Sequence, residues 1–264
     1  MTVNISAERI VDVAPATMPA SRVLGAYLTE ARYESVRLLR EPAFVIAFVV
    51  LPVALYLLFG VYMSTAPSNP GRAAYWFVSW AVFGMMGPGM FGFGFTVAIE
   101  RQEGMLTLKR ALPMPPAAYL FGKMCMAVMF GVIVMIVMII AARVIGHVQL
   151  TAGQVVSVAV IDVAGSLPFC AIGLYVGMRA TGGSAPGLLN LIYIAMMTLS
   201  GLFFPVPAPI RGFAMVSPAF HLHQLSLGAA GLSSTGAPLT HVSVLAAWTL
   251  LLTAMAVRRL VRVG

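Results

Sequence analysis

Six apolar runs divide the chain, at residues 43–63, 73–99, 119–145, 155–178, 185–204 and 238–257. About 20 apolar residues in helical form cross a hydrocarbon core roughly 30 Å thick. Inside that core a backbone must satisfy its own hydrogen bonds, which a helix does within one segment. The expected fold class is therefore an all-α membrane protein with six transmembrane helices. The remaining composition agrees: 9% of the residues are charged, against about 25% in soluble domains. A net charge of +8 raises the possibility of a nucleic-acid partner. That reading needs a basic face on a solvated fold, whereas these bases stand beside apolar runs. Cys125 and Cys170 both lie inside apolar runs and read as small hydrophobes, not as a disulfide framework.

An even number of spans puts both termini on one side. With that side taken as the cytoplasm, only Arg72, Arg143 and Arg211 of the 16 Lys and Arg residues fall outside. This is the asymmetry expected of membrane orientation, and it makes the charged stretch between the second and third spans cytoplasmic.

Residues 1–20, with Glu8, Asp12, Pro15 and Pro19, read as a flexible cytoplasmic tail. Residues 21–41 follow as an amphipathic helix. At 100° per residue Leu24, Leu28, Ala31, Ser35, Leu38 and Leu39 share one sector, with Glu30, Tyr33, Glu34, Arg37 and Arg40 opposite. Such a helix is too polar to span and suits the inner interface. Residues 42–264 then form the six-span domain. Its fifth span runs into "FFPVPAPIRGFAMVSPAFHLHQL", where four prolines forbid a continuous helix. That stretch is expected to be an external re-entrant segment between the fifth and sixth spans.

Three polar or small-residue features stand inside the spans. Asp162 is the acid deep in the fourth span, and Arg143 lies near the outer end of the third. An intramembrane carboxylate seeks a partner, so the two are expected to form a polar pair. Gly84, Pro88 and Gly92 recur every fourth residue in the second span, a stripe suited to close helix packing in lipid. The methionines of the third span read as helix filler. Catalytic and metal signatures are absent: His221 and His223 sit two apart, and Gly122-Lys123 lacks the upstream glycine of a phosphate loop. No metal site is expected.

One stretch remains, "TVAIERQEGMLTLKRALPMPPAAYLFGK" at 96–123. Glu103 to Leu112 can form a short helix presenting Met105, Leu106 and Leu108. Lys109 and Arg110 sit near its C-terminus, where cations suit the dipole. Gly104 permits a sharp turn, and Pro113, Pro115 and Pro116 end the helix stiffly. With the amphipathic helix, the six spans and the Pro-broken external segment, this pattern resembles the membrane subunit of type-2 ATP-binding-cassette exporters, over residues 22–262. The resemblance implies a coupling loop at 100–118, with Glu100, Arg101, Glu103, Gly104, Leu108, Lys109 and Arg110 engaging a separate ATPase. It implies an outer gate around Phe203, Phe204, Pro205, Pro218 and His221. It further implies a homodimer, or a pair with a related permease, above two ATPase copies, in a bacterial plasma membrane with both termini cytoplasmic. ATP and Mg would be bound by the ATPase, and this chain would hold no cofactor. The cargo class expected from an apolar Met- and Phe-rich interior is an amphipathic drug or lipid-like molecule. Polysaccharide export on the same architecture is the alternative, followed by a stand-alone secondary transporter, which would need more intramembrane acids or repeated halves.

Overall fold

The computed structural model describes residues 19–63, 69–106, 108, 115–204 and 206–263, and these contain helices and no strand. The protein is an all-α membrane protein. Five helices are long and apolar enough to cross a bilayer: Pro42–Tyr62, Pro70–Gln102, Ala118–Val144, Ala152–Gly177 and Pro238–Arg259. In chain order we name α1 (Ala20–Leu39), α2 (Pro42–Tyr62), α3 (Pro70–Gln102), α4 (Pro116–Val144), α5 (Ala152–Ala164), α6 (Leu167–Gly177), α7 (Ala185–Leu199), α8 (Pro218–Ala229) and α9 (Pro238–Val263).

The proline positions account for most departures from regular helix. Pro52 falls in the middle of α2, where it can neither donate a hydrogen bond nor accommodate the carbonyl of the preceding turn. The helix widens into π turns on both sides, at Ile46–Val50 and Tyr56–Tyr62, and so absorbs the mismatch. Pro168 interrupts the fourth apolar run, which is one path in two pieces, α5 and α6, joined at Gly165 and Ser166. The fifth run departs further from expectation. It is helical over 15 residues, Ala185–Leu199, and stops because Gly201 turns at φ +76° ahead of the prolines. Roughly 20 residues are needed for a full crossing, so α7 is a short apolar helix.

Helix α3 is the axis of the bundle and is buried along most of its 33 residues. At 1.5 Å per residue it runs about 50 Å, so Arg72 and Glu100 mark opposite ends of the molecule. Its closest neighbour is α6, and glycines make the approach possible. A Cβ on Gly94 would lie 2.8 Å from the Gly173 carbonyl oxygen, and one on Gly177 would lie 2.5 Å from that of Gly94. Gly84 and Gly92 face side chains instead. Val134 and Pro52 cover the first, and Met126 and Phe44 the second. Pro88 is buried between them. The stripe therefore seats α2 and α4, while backbone-on-backbone contact falls to Gly89, Gly94, Gly173 and Gly177.

Helix α1 lies across the start of α4, and its packed face straddles the border between the polar and apolar sectors. Glu34 and Leu38 are buried, while Leu24 and Leu28 are exposed. A Cβ on Gly122 would lie 2.8 Å from Glu30 Cγ and 3.1 Å from the Glu30 carbonyl carbon. Gly122 is thus the notch into which α1 fits, beside the Tyr27 and Phe121 rings at 5.3 Å. Leu24, Leu28 and Leu39 of the apolar sector are left for lipid, as an interfacial helix requires.

Candidate functional site: a buried charge cluster beneath the charged loop

Glu34 of α1, Glu100 of α3 and Lys123 of α4 come from three helices and meet in one place. The Lys123 ammonium, fully buried, donates to Glu34 Oε2 at 3.1 Å, Glu100 Oε1 at 3.1 Å and Thr96 Oγ1 at 3.0 Å. An ammonium has three N–H donors, and these three oxygens use all of them. Thr96 passes its own hydrogen to the Gly92 carbonyl at 2.5 Å. Arg37 adds a guanidinium, 2.9 Å from Glu100 Oε1 and 3.6 Å from Glu34 Oε2. Tyr119 donates to Glu100 Oε2 at 2.6 Å. Two carboxylates and two cations sum to zero formal charge, which is the condition for burying ions together.

Glu100 is thus held from two sides, by α1 through Arg37 and by α4 through Lys123 and Tyr119. The next residue ties α3 to the fourth span. Arg101 donates to the carbonyls of Met178 and, at 2.6 Å, Ala180. These follow the C-terminus of α6, where carbonyls lack helical partners. Gln102 accepts from the Gly182 amide at 2.8 Å. The chain then leaves α3 through Glu103 and through Gly104 at φ +75°, the left-handed residue that ends helices without a Cβ penalty. Glu103 is exposed, and beyond the turn Leu106 is buried while Met105 and Leu108 are exposed. Lys109 and Arg110 lie outside the described residues. Glu100, Arg101 and Gln102 thus tie the end of α3 to α1, to α4 and to the turn after α6.

The remaining sequence expectations fall elsewhere. Arg143 and Asp162 are not brought together. Arg143 donates to the carbonyls of Val148 at 3.3 Å and Leu150 at 2.5 Å, closing the turn after α4. Asp162 accepts from the Ser226 hydroxyl of α8, and its other oxygen is buried with no hydrogen-bond partner. Each has a nearer partner than the other, so the expected polar pair does not form. Around the Pro-broken segment, Phe203 packs on Trp80 with ring centres 4.5 Å apart, while Phe204 is exposed. Pro205 lies outside the described residues, and Pro218 is buried at the first position of α8, where its missing N–H costs nothing.

His221 meets His241 of α9, a contact the sequence does not suggest, with the two Nδ1 atoms 2.7 Å apart. Each Nε2 faces a backbone carbonyl at 2.7 Å, that of Met215 for His221 and of Thr235 for His241. Carbonyls only accept, so both Nε2 atoms carry hydrogens and one further proton completes the Nδ1 contact. Burial holds the His221 imidazole below its ordinary range.

His223 points the other way, with Nε2 3.1 Å from Ser79 Oγ of α3. Burial pushes its imidazole down to about 4, against about 6.5 in an unfolded chain. The unfolded form therefore binds more protons between these values, so stability is complete above about pH 6.5 and falls as pH drops toward 4. The drop is on the order of 3 kcal/mol. About 2 kcal/mol of this should appear in thermal unfolding of the purified protein between pH 7.5 and pH 5, and His223→Gln should flatten that difference. Equal slopes for the two proteins would remove His223 as its source.

Residues 26–229 match the family model described as ABC-2 type transporter. The chain is also 25% identical, over 192 residues, to the putative transport permease YvfS of Bacillus subtilis (strain 168); the match covers 71% of this chain and 78% of that one. The matched span begins in α1 and ends with α8, so it contains the whole charge cluster. Helices of membrane-spanning length, a charge cluster under a short polar loop, and a family match over most of its length identify this chain as a member of the ABC-2 type transporter family.

Proposed function

We propose that this chain is the transmembrane subunit of an exporter powered by a separate ATP-binding-cassette ATPase. It works as a homodimer, or paired with a related permease, over two ATPase copies that bind the ATP and Mg. It sits in a bacterial plasma membrane with both termini cytoplasmic, and it carries amphipathic cargo outward by alternating access. The observation that carries this reading is the Glu34–Lys123–Glu100–Arg37 cluster at the base of the 100–118 loop. A push on Met105 and Leu108, five and eight residues beyond Glu100, would pass across the Gly104 turn to Glu100, and from there to α1 and α4 through charged hydrogen bonds. Arg37 and Glu41 also rim a cleft of about 530 Å³ walled by Phe44, Phe48, Phe91 and Phe95. A charged rim over aromatic walls is the chemistry an amphipathic cargo matches, and it adjoins the cluster.

Glu100→Gln keeps the shape of the side chain and removes its charge. In proteoliposomes holding the permease and its ATPase, we expect ATP-dependent export to fall on the order of tenfold, with ATP hydrolysis retained. Export unchanged in this variant would remove Glu100 from the coupling path. A permease and ATPase that neither co-purify nor move any cargo with ATP would sink the whole reading.

A further inference from the structure

Where α1 gives way to α2, at Glu41 and Pro42, the cleft of about 530 Å³ lies against the second half of α3. Phe44 and Phe48 of α2 and Phe91 and Phe95 of α3 wall it, with Arg37 and Glu41 at the rim. The ring centres of Phe44 and Phe48 stand 4.7 Å apart and those of Phe48 and Phe91 5.3 Å, so three rings make one continuous wall. Phe95, in the same cleft, is exposed. The two rim charges differ in what already faces them. The Arg37 guanidinium is held by two carboxylates, 2.9 Å from Glu100 Oε1 and 3.6 Å from Glu34 Oε2. The Glu41 carboxylate is exposed, and among the described residues no cation pairs with it. Arg40 precedes it in the chain but is not part of the cleft lining. Thr96, which also lines the cleft, donates its hydroxyl hydrogen to the Gly92 carbonyl. The uncommitted charge at the rim is therefore negative. Aromatic ring faces attract cations, most strongly where water is excluded. A carboxylate at the mouth of an aromatic cleft adds a field of the same preference. The volume lies in the range that takes a small organic ligand.

We propose that this cleft selects cationic amphiphiles, with the positive centre held by the Glu41 carboxylate and the ring faces, and the apolar body among Phe44, Phe48, Phe91 and Phe95. This deepens the export reading by giving the cargo a sign of charge. It rests on that reading for one point only, that the occupant is cargo on its way out.

The test uses the full chain in nanodiscs of zwitterionic lipid, without ATPase. The probe is tetraphenylphosphonium, a permanent cation clad in four phenyl rings, with tetraphenylborate as the anion of the same shape. Equilibrium dialysis measures binding, and empty nanodiscs of the same lipid give the blank that is subtracted. Glu41→Gln should weaken binding of the cation on the order of tenfold and leave the anion no weaker. Phe95→Leu keeps an apolar side chain and removes a ring face, so the cation should lose about threefold and the anion nothing. Glu41→Lys should turn the preference toward the anion. Anion binding retained in the same preparations shows that the losses are not unfolding. A cation affinity unmoved by Glu41→Gln and Glu41→Lys, or an anion bound as tightly as the cation by the unaltered protein, would overturn the site. ATP-driven efflux of tetraphenylphosphonium is measured separately, with the ATPase in proteoliposomes. Binding without efflux keeps the site and removes the cargo role; efflux without binding keeps the export reading and removes the site.

Discussion

Lys123→Met should yield little folded protein, and adding Glu34→Gln to it should restore much of the loss. Lys123 is the cation that Glu34 and Glu100 share, both within 3.1 Å. Methionine keeps the length of the chain and removes the charge, so two buried carboxylates lose the cation they share. Removing one partner of a buried ion pair costs about 3–5 kcal/mol, a large part of the 5–15 kcal/mol typical of a whole domain. Glu34→Gln in the Lys123→Met background returns the cluster to one carboxylate and one cation, Glu100 and Arg37, which stand 2.9 Å apart. Residues sharing one charged network couple by about 0.5–3 kcal/mol, and here the coupling should be positive and large. Size-exclusion profiles and apparent Tm of the two single variants and the double variant measure it. A double variant no better than Lys123→Met would mean that charge balance is not what holds these three helices.

The cluster also marks where sequence reasoning stops. Glu100 and Arg101 were legible because they stand in a charged stretch between apolar runs, and hydropathy alone exposes such an interruption. Glu34 was not. It lies opposite the apolar sector of α1, and one helix read by itself assigns such a residue to water. The structure turns the border of the two sectors, Glu34 with Leu38, onto the protein, because a helix lying between lipid and a protein flank has two surfaces to satisfy. Its partner Lys123 is 89 residues away, and nothing local to either position announces the other. The signal available was Gly122: a glycine beside a lone lysine at the start of an apolar run leaves space for a crossing backbone. The Arg143 and Asp162 pairing failed for a related reason. Depth in the membrane puts two residues at similar levels and says nothing of their directions, and the Val148 and Leu150 carbonyls and Ser226 were nearer. His221 and His241 met because α8 folds back on α9, a geometry that the prolines permit without specifying.

Gly173→Ala should disrupt the bundle more than any other single methyl group added to a spanning helix. Its Cβ would lie 2.9 Å from the Gly89 carbonyl oxygen and 3.0 Å from Met90 Cα, with the Met90 carbonyl oxygen nearer still. These are backbone atoms of α3, so no rotamer change clears them, and α3 and α6 must move apart. Overpacking a well-filled interior costs about 1–3 kcal/mol, and immobile neighbours put this site at the upper end. In lipid the loss is not offset elsewhere, because helix association there depends on close van der Waals contact. Gly187 of α7 is the control. Nothing lies within 4 Å of a Cβ placed on it, and Gly to Ala inside a helix is worth about 0.5–1 kcal/mol in favour of Ala. Apparent Tm should therefore fall for Gly173→Ala and hold or rise for Gly187→Ala. The separation also bears on coupling, since Arg101 reaches the carbonyls after α6 only while α3 and α6 stay in contact. Opening that crossing should weaken ATP-driven export in whatever fraction of Gly173→Ala still folds, and a folded, fully active Gly173→Ala would show that the close approach serves neither stability nor transmission.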